Sequence, residues 1–160
     1  RKIAYIGETE RENRYRGYLD ALSAENITVY KGYVSNVTLS SEGGYLGAKK
    51  LLEQNCDATA YFCPNDMTAI GAMRAIQEAG YSIPGDISII SIDDIETAQY
   101  LNPMLTTVHI PIEEMGQMAA KTLIDRIEGG HSLPMKINLP FYIANRESCG
   151  PAHPLRQREE

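Results

Sequence analysis

The sequence predicts an α/β domain built on a doubly wound, mostly parallel sheet flanked by helices. Three observations carry that expectation. Residues 58–95 read as strand, helix, strand, a βαβ unit. Ala60-Tyr61-Phe62-Cys63 is apolar without in-out alternation, as in a parallel strand covered on both faces. The residues before it already alternate between strand and helix patterns, the order expected of a doubly wound sheet.

Taken in order, Ile3 to Ile6 is the opening strand and Gly7 begins a loop. Arg11 to Glu25 is predicted helical, with Tyr15, Tyr18, Leu19 and Leu22 on its apolar face. Ile27 to Tyr30 is expected to be a short second strand, and Lys31 to Ser41, without a clear period, a rim loop. Gly43 to Gln54 reads as the second helix through Tyr45, Ala48, Leu51 and Leu52. Pro64 ends the 60–63 strand because it lacks an N–H. Asn65 or Asp66 can cap the next helix, which carries Met67, Ile70, Met73 and Ile76 at i, i+3 spacing. Gly80 suits a left-handed helix end, Pro84 blocks a restart, and Ile87 to Ile92 forms the next strand. Ile95 to Gln99 fits one helical turn, and Thr106 to Ile110 a further strand. Pro111 opens a helix through Ile112, Met115, Met118, Ala119, Leu123 and Ile127, which stops at Gly129-Gly130. Ile137 to Leu139 and Phe141 to Ile143 are short extended pieces split by Pro140. The polar stretch from Pro151 to Glu160 lacks periodicity and is expected to be loosely held.

At 160 residues the chain supports one ordinary core, or one lobe of something larger. An apolar content of 43% and a net charge of -6 fit a soluble domain and favour neither DNA nor an anionic membrane surface as its direct partner. No apolar run approaches the ~20 residues that span a bilayer. The first residues pass straight into a strand pattern without a signal peptide, and a chain that starts at arginine is expected to be cut from a longer one. Cys56, Cys63 and Cys149 are odd in number and unpatterned, which fits a reducing compartment.

Ligands of open parallel sheets bind outside the carboxyl ends of the strands, so polar residues there are the first candidates. Asp93 can accept hydrogen bonds from two neighbouring hydroxyls of a sugar, or it can cap the turn that follows, as can Asp94. Asn65 offers donor and acceptor to vicinal hydroxyls, or acts as a helix cap. Asp66 is more readily a cap than a contact. Arg14 and Arg16 read either as solvent-facing ion pairs or as a clamp on two oxygens. Gly7-Glu8-Thr9-Glu10 matches neither common phosphate loop, and the three histidines are too scattered for a zinc set. No nucleophile elbow is present. The sequence therefore predicts no catalytic residue, no metal and no cofactor, and not an enzyme.

Several stretches together resemble one family. They are KIAYIG at 2–7, the R-x-x-G of Arg14 to Gly17, and CPNDMTAIGAMRAIQEAGYSIPGDISIISIDD at 63–94. YLNPMLTTVHIPIEEMG at 100–116 and ANRESC at 144–149 complete the set. The chain resembles the C-terminal part of the effector-binding core of LacI/GalR-type bacterial transcription repressors, which share the fold of periplasmic sugar-binding proteins. The resemblance implies one lobe of a bilobal protein. Residues 1–110 would form the C-terminal lobe, 111–140 a helix and strand crossing to the other lobe, 141–150 a return segment and 151–160 the tail.

It also implies a function: a small-molecule effector, a sugar, binds between lobes and allosterically controls operator binding. The DNA would be held through an N-terminal domain absent from this chain, in a cytoplasmic homodimer without membrane contact. The clamp, the amide and the carboxylate of the family map onto Arg14, Asn65 and Asp93. A stacking aromatic in the loop after the second strand maps onto Val34, beside Tyr33. The dimer surface maps onto Met67, Ile70, Met73 and Arg74 with Tyr100, Leu101 and Leu105. An exported transport protein with the same core is the alternative, and a head domain or a signal peptide would discriminate them. The helix at 112–127 would pack on the other lobe; within this chain alone, its apolar stripe predicts cover by a second copy or a shift of the helix.

Overall fold

The structure is a computed structural model and describes residues 2–151. Six strands form a single sheet in the order β2-β1-β3-β4-β5-β6. They are β1 (Ile3–Gly7), β2 (Val34–Asn36), β3 (Ala60–Phe62), β4 (Ser88–Asp93), β5 (Thr106–His109) and β6 (Tyr142–Ala144). All neighbours are parallel except β5 and β6, which pair antiparallel. The helices are α1 (Asn13–Ala24), α2 (Ser41–Glu53), α3 (Asp66–Glu78) and α4 (Ile112–Ile127), with 3-10 turns at Lys31–Tyr33 and Glu96–Tyr100.

Strand side chains alternate between the two faces, which sorts the core into two layers. Ala4, Ile6, Tyr61, Cys63, Ile87 and Ile89 pack with Ala48, Leu51, Ala69, Ala72 and Ile76 of α2 and α3. Tyr5 turns the other way, into a smaller cluster with Tyr18 and Leu22 of α1, bordered by Phe62 and Val34. Glycines set the α2–α3 approach. A Cβ on Gly71 would run into the Ser41 carbonyl, and one on Gly44 into that of Thr68. The leading glycines of α2 thus permit close contact, and the Ser40 hydroxyl, accepting from the Gly43 N–H at 3.0 Å, supplies the cap.

Several expectations need correction. Ile27–Tyr30 is not the second strand. After α1 the chain turns at Asn26 (φ 55°), the Ile27 N–H returns to the Leu22 carbonyl at 2.8 Å, and Val29 and Tyr30 lie exposed. The β-branched and aromatic residues there satisfy strand propensity, but the place beside β1 goes to Val34–Asn36, whose Ser35 can be buried. What reads as a rim loop is therefore partly strand. The first helix starts at Asn13, because Arg11 is left-handed (φ 57°) and Glu12 is the cap. Residues 137–139 form no strand, and only Tyr142–Ala144 joins the sheet. Apart from Pro151, the tail expected at 151–160 lies outside the described residues.

No residue of α4 is buried. Ile112, Leu123 and Ile127 are 56%, 60% and 75% exposed. The helix and residues 131–141 border an apolar groove of about 810 Å³ that includes Met118, Met135, Ile137 and Phe141. Each exposed large apolar side chain forgoes roughly 1.5–3 kcal/mol of burial. No helix among the described residues is long and apolar enough to cross a membrane.

Candidate functional site

The carboxyl ends of β1, β3, β4 and β5 meet along one rim of the sheet. Arg14 reaches it from the first turn of α1. Its Nη1–H donates to the Pro64 carbonyl just past β3 at 2.8 Å, and Nε and Nη2 donate to the two carboxylate oxygens of Glu12 at 2.8 and 2.9 Å. Glu12 also caps α1 by accepting from the Arg14 N–H at 2.9 Å. Its hydrogen bond with Arg14 holds the Glu12 carboxyl below its ordinary range, and the same bond raises Arg14. Asn65, next to Pro64, accepts from the Thr68 N–H through Oδ1 at 2.9 Å and so is the cap of α3. Its amide nitrogen has no hydrogen-bond partner among the described residues and remains available as a donor.

Asp93 ends β4 with φ 124°, followed by Asp94 at φ 59°. The Asp93 carboxyl accepts no hydrogen bond within the described residues. Burial, with the Asp66 charge, pushes its pKa up, and the Arg14 charge pulls against that. Arg14 is thus placed next to Asn65 by its bond to the Pro64 carbonyl, and its charge acts on Asp93. Beside Arg14 lies an apolar hollow of about 340 Å³, reaching Tyr18, Phe62 and Ile92.

Asp94 does not cap the turn after it. Its oxygens take Arg146 Nη2 at 2.5 Å and face His109 Nδ1 at 2.9 Å, and the His109 ring stacks on Tyr142 at 4.5 Å. Burial raises the Asp94 carboxyl, but its hydrogen bonds to Arg146 and His109 outweigh this and leave it below its ordinary value. Asp66 is neither helix cap nor surface contact. It is fully buried, accepting Ser91 Oγ–H at 2.5 Å, Thr107 Oγ1–H at 2.6 Å and the Ile95 N–H at 2.8 Å. It ties the first turn of α3 to β4, β5 and the backbone just past Asp93-Asp94. Glu12, His109 and Arg146 escape a sequence reading, as does the buried, cross-strand role of Asp66. Only the E-x-R proximity of Glu12 to Arg14 offers a local signal, and the other partners are far apart in the chain.

Tyr33 and Val34 do not belong to the rim. The Tyr33 hydroxyl donates to Asp57, which also pairs with Lys2, at the amino-terminal edge of the sheet. Val34 opens β2 and packs toward the Tyr5 cluster. The second strand begins only at Val34, so both residues lie at its amino-terminal end and not past its carboxyl end. The loop that leaves β2 at the correct end starts at Val37, and Asn36 holds the rim loop through Thr9 N–H at 3.1 Å. Of the expected dimer residues, Met73 and Leu105 are core, 4% and 0% exposed. Met67, Arg74 and Tyr100 are exposed, and Ile70 and Leu101 are half-buried. Arg74 pairs with Glu78 at 2.7 Å and lies over the Tyr45 ring. Among the described residues, no group of three His, Cys, Asp or Glu side chains is placed to hold a metal ion.

The periplasmic binding protein-like domain family matches residues 1–149. The chain belongs to that family. Within it, this is a segment of a LacI/GalR-type effector-binding core. The ribose operon repressor of Haemophilus influenzae is 44% identical over 117 residues, covering 73% of this chain and 35% of that protein. The transcriptional repressor PurR of Yersinia enterocolitica is 36% identical over 146 residues, covering 90% of this chain and 43% of that protein. A LacI-family transcriptional regulator from Enterococcus faecium, solved with bound ribose, superposes with a TM-score of 0.87 at 35% identity, covering 95% of this chain and 58% of that one. The chain thus spans less than half the length of these curated relatives, which are transcriptional regulators.

Proposed function

We propose that this chain is the C-terminal lobe, residues 1–110, of the effector-binding core of a cytoplasmic transcriptional repressor, together with its crossing segment. A small polyhydroxylated molecule, a sugar, binds against the rim, and a second lobe closes over it. Arg14 and the Asn65 amide donate to its hydroxyls, and Asp93 accepts from them. One observation supports this most directly. The Arg14 guanidinium bonds the Pro64 carbonyl, so the clamp lies beside Asn65 and within the field of Asp93. An unpartnered, half-buried carboxylate and an unused amide donor are what a ligand rich in hydroxyls would satisfy.

The other lobe covers the apolar face of α4. Met67, Ile70, Arg74, Tyr100 and Leu101 face a second copy in a homodimer. Ligand closure reorients the lobes and so biases operator-binding heads at the N-terminus, to the extent that the effector prefers one lobe arrangement. The repressor relatives favour this reading over a transport protein and over an enzyme.

Calorimetric titration of the intact protein with mono- and disaccharides tests the proposal. One sugar should bind, and Asp93→Asn should weaken it by about 10- to 100-fold, as expected when one charge-assisted hydrogen bond is lost. Unchanged affinity in that variant would remove Asp93 from the site. A dimer unaffected by Tyr100→Glu would remove the assigned interface.

A further inference from the structure

We infer that Glu12 is a specificity-determining residue, one that turns the Arg14 clamp away from anionic ligands and selects an uncharged polyol over its phosphate ester. The inference rests on the sugar-binding reading above. Its basis is how the charges of the rim are paired. An arginine aimed into a cleft is ordinarily a recognition element for phosphate or carboxylate, because its fork matches two anionic oxygens. Here the fork is already occupied. Nε and Nη2 address Glu12 in a two-point contact at 2.8 and 2.9 Å, and Nη1 is drawn to the Pro64 carbonyl.

What Arg14 has left are single N–H bonds pointing out of that pairing, enough to donate to a hydroxyl but with the cation's charge answered by its neighbour. The other cation of the rim is answered too, since Arg146 is held by Asp94 with His109 alongside. Asp93 then remains as a carboxylate without a hydrogen-bond donor among the described residues, so the paired rim carries surplus negative charge. An incoming phosphate would meet Asp93 and Glu12 before it found an unpaired cation, whereas a neutral hydroxyl pair gains from both Arg14 and Asp93. Selection against the charged competitor is thus built as repulsion, in addition to the attraction shown to the favoured ligand.

The side chain of Glu12 is only 13% exposed and is fixed at two places, by the fork and by the α1 cap, so its charge cannot swing aside. Glu12→Gln keeps a cap oxygen for the Arg14 N–H while removing the charge. Glu12→Asp keeps the charge and a cap oxygen.

The test uses the intact protein, titrated by calorimetry with neutral sugars and their matching phosphate esters, D-ribose with D-ribose 5-phosphate and D-glucose with D-glucose 6-phosphate among them. For the neutral sugar that binds, its ester should bind at least ~10-fold more weakly, and Glu12→Gln should shift the ratio of the two affinities at least ~10-fold toward the ester. Glu12→Asp should retain most of the discrimination, and higher salt should narrow the gap in the unaltered protein. A ratio unchanged in Glu12→Gln, or an ester bound as tightly as its sugar by the unaltered protein, overturns the inference and leaves the sugar-binding reading standing. Binding of no sugar and no ester overturns that reading, and this inference with it.

Discussion

Replacing Asp66 by Asn exchanges one carboxylate oxygen for an amide nitrogen and leaves shape almost unaltered. The buried carboxylate accepts from two hydroxyls through Oδ1 and from the Ile95 N–H through Oδ2. In the variant, Oδ1 can still accept from Ser91 and Thr107, now as a neutral acceptor, but the new NH2 faces the Ile95 N–H donor to donor. One charge-assisted bond is lost, worth about 1.5–3 kcal/mol, and a donor pair is left buried without an acceptor, at about 1–3 kcal/mol. Partial relaxation of the turn offsets some of this, so a net loss of about 3 kcal/mol is expected, more than a hundredfold in the folding equilibrium. The affected backbone carries Asp93 and Asp94, both at positive φ, so effector affinity should fall as well. Urea titration followed by far-ultraviolet circular dichroism measures the first effect through the midpoint at unchanged slope, and calorimetry measures the second. A loss below about 1 kcal/mol with normal effector binding would show that Asp66 neither secures the fold nor positions the rim.

Gly71→Ala should cost about 2–4 kcal/mol, because the added methyl meets the Ser41 backbone and forces α2 off α3; a midpoint within error of the parent would refute that contact. Tyr61→Phe should stabilise by about 1 kcal/mol, since the Tyr61 hydroxyl is buried without a hydrogen-bond partner among the described residues; a loss of similar size would reveal one. Glu12 and Asp94 lie below their ordinary values of 4.5 and 3.8, so the stability each contributes is present above those values and is lost as pH falls through the depressed folded values. The unfolding midpoint should therefore drop in acid below about pH 4.5, and less steeply in Glu12→Gln. Asp93 has the opposite sign. Its folded pKa is raised, so its ionised form opposes folding at neutral pH, and Asp93→Asn should be at least as stable as the parent at pH 7.

The parts of the fold legible from sequence are those where local chemistry and tertiary contact agree. Residues 58–95 combine an unalternating apolar strand, a capped helix with a regular stripe and a Gly-Pro stop, and each becomes the element it resembles. Ile27–Tyr30 shows the reverse. Its propensity is that of a strand, but strand identity depends on who lies next to β1, and nothing local encodes that partner. With the strand at Val34–Asn36, Tyr33 and Val34 stand at the amino-terminal end of the sheet, away from the rim. In the site, Asn65 and Asp93 stand out as candidates because ends of parallel strands are predictable meeting places, whereas Arg14 reads equally as a solvent-facing ion pair and is singled out only by the family resemblance. Their mutual relation is less legible. Asn65 is at once a cap and a candidate contact, and the pairing of Arg14 with Glu12 depends on a left-handed Arg11 that sets the start of α1. Asp66 and Arg146 draw partners from distant strands, a long-range arrangement that spacing does not announce. Met73 and Leu105 illustrate how a helical or strand stripe fails to tell an interface from a core when both require apolar residues.

The chain leaves the sheet along β5 and comes back along β6, with His109 opposite Tyr142 on adjacent strands. Everything between those rungs is a detour whose two feet stand side by side on the same plank. Its far end is joined to the domain chiefly through that two-stranded stalk. The Asp94 carboxylate grips the stalk at its base through His109 while belonging to the turn beside Asp93. One carboxylate thus ties the exit from β5 and a residue just past β6 to the turn that carries Asp93, through a histidine on one side and an arginine on the other.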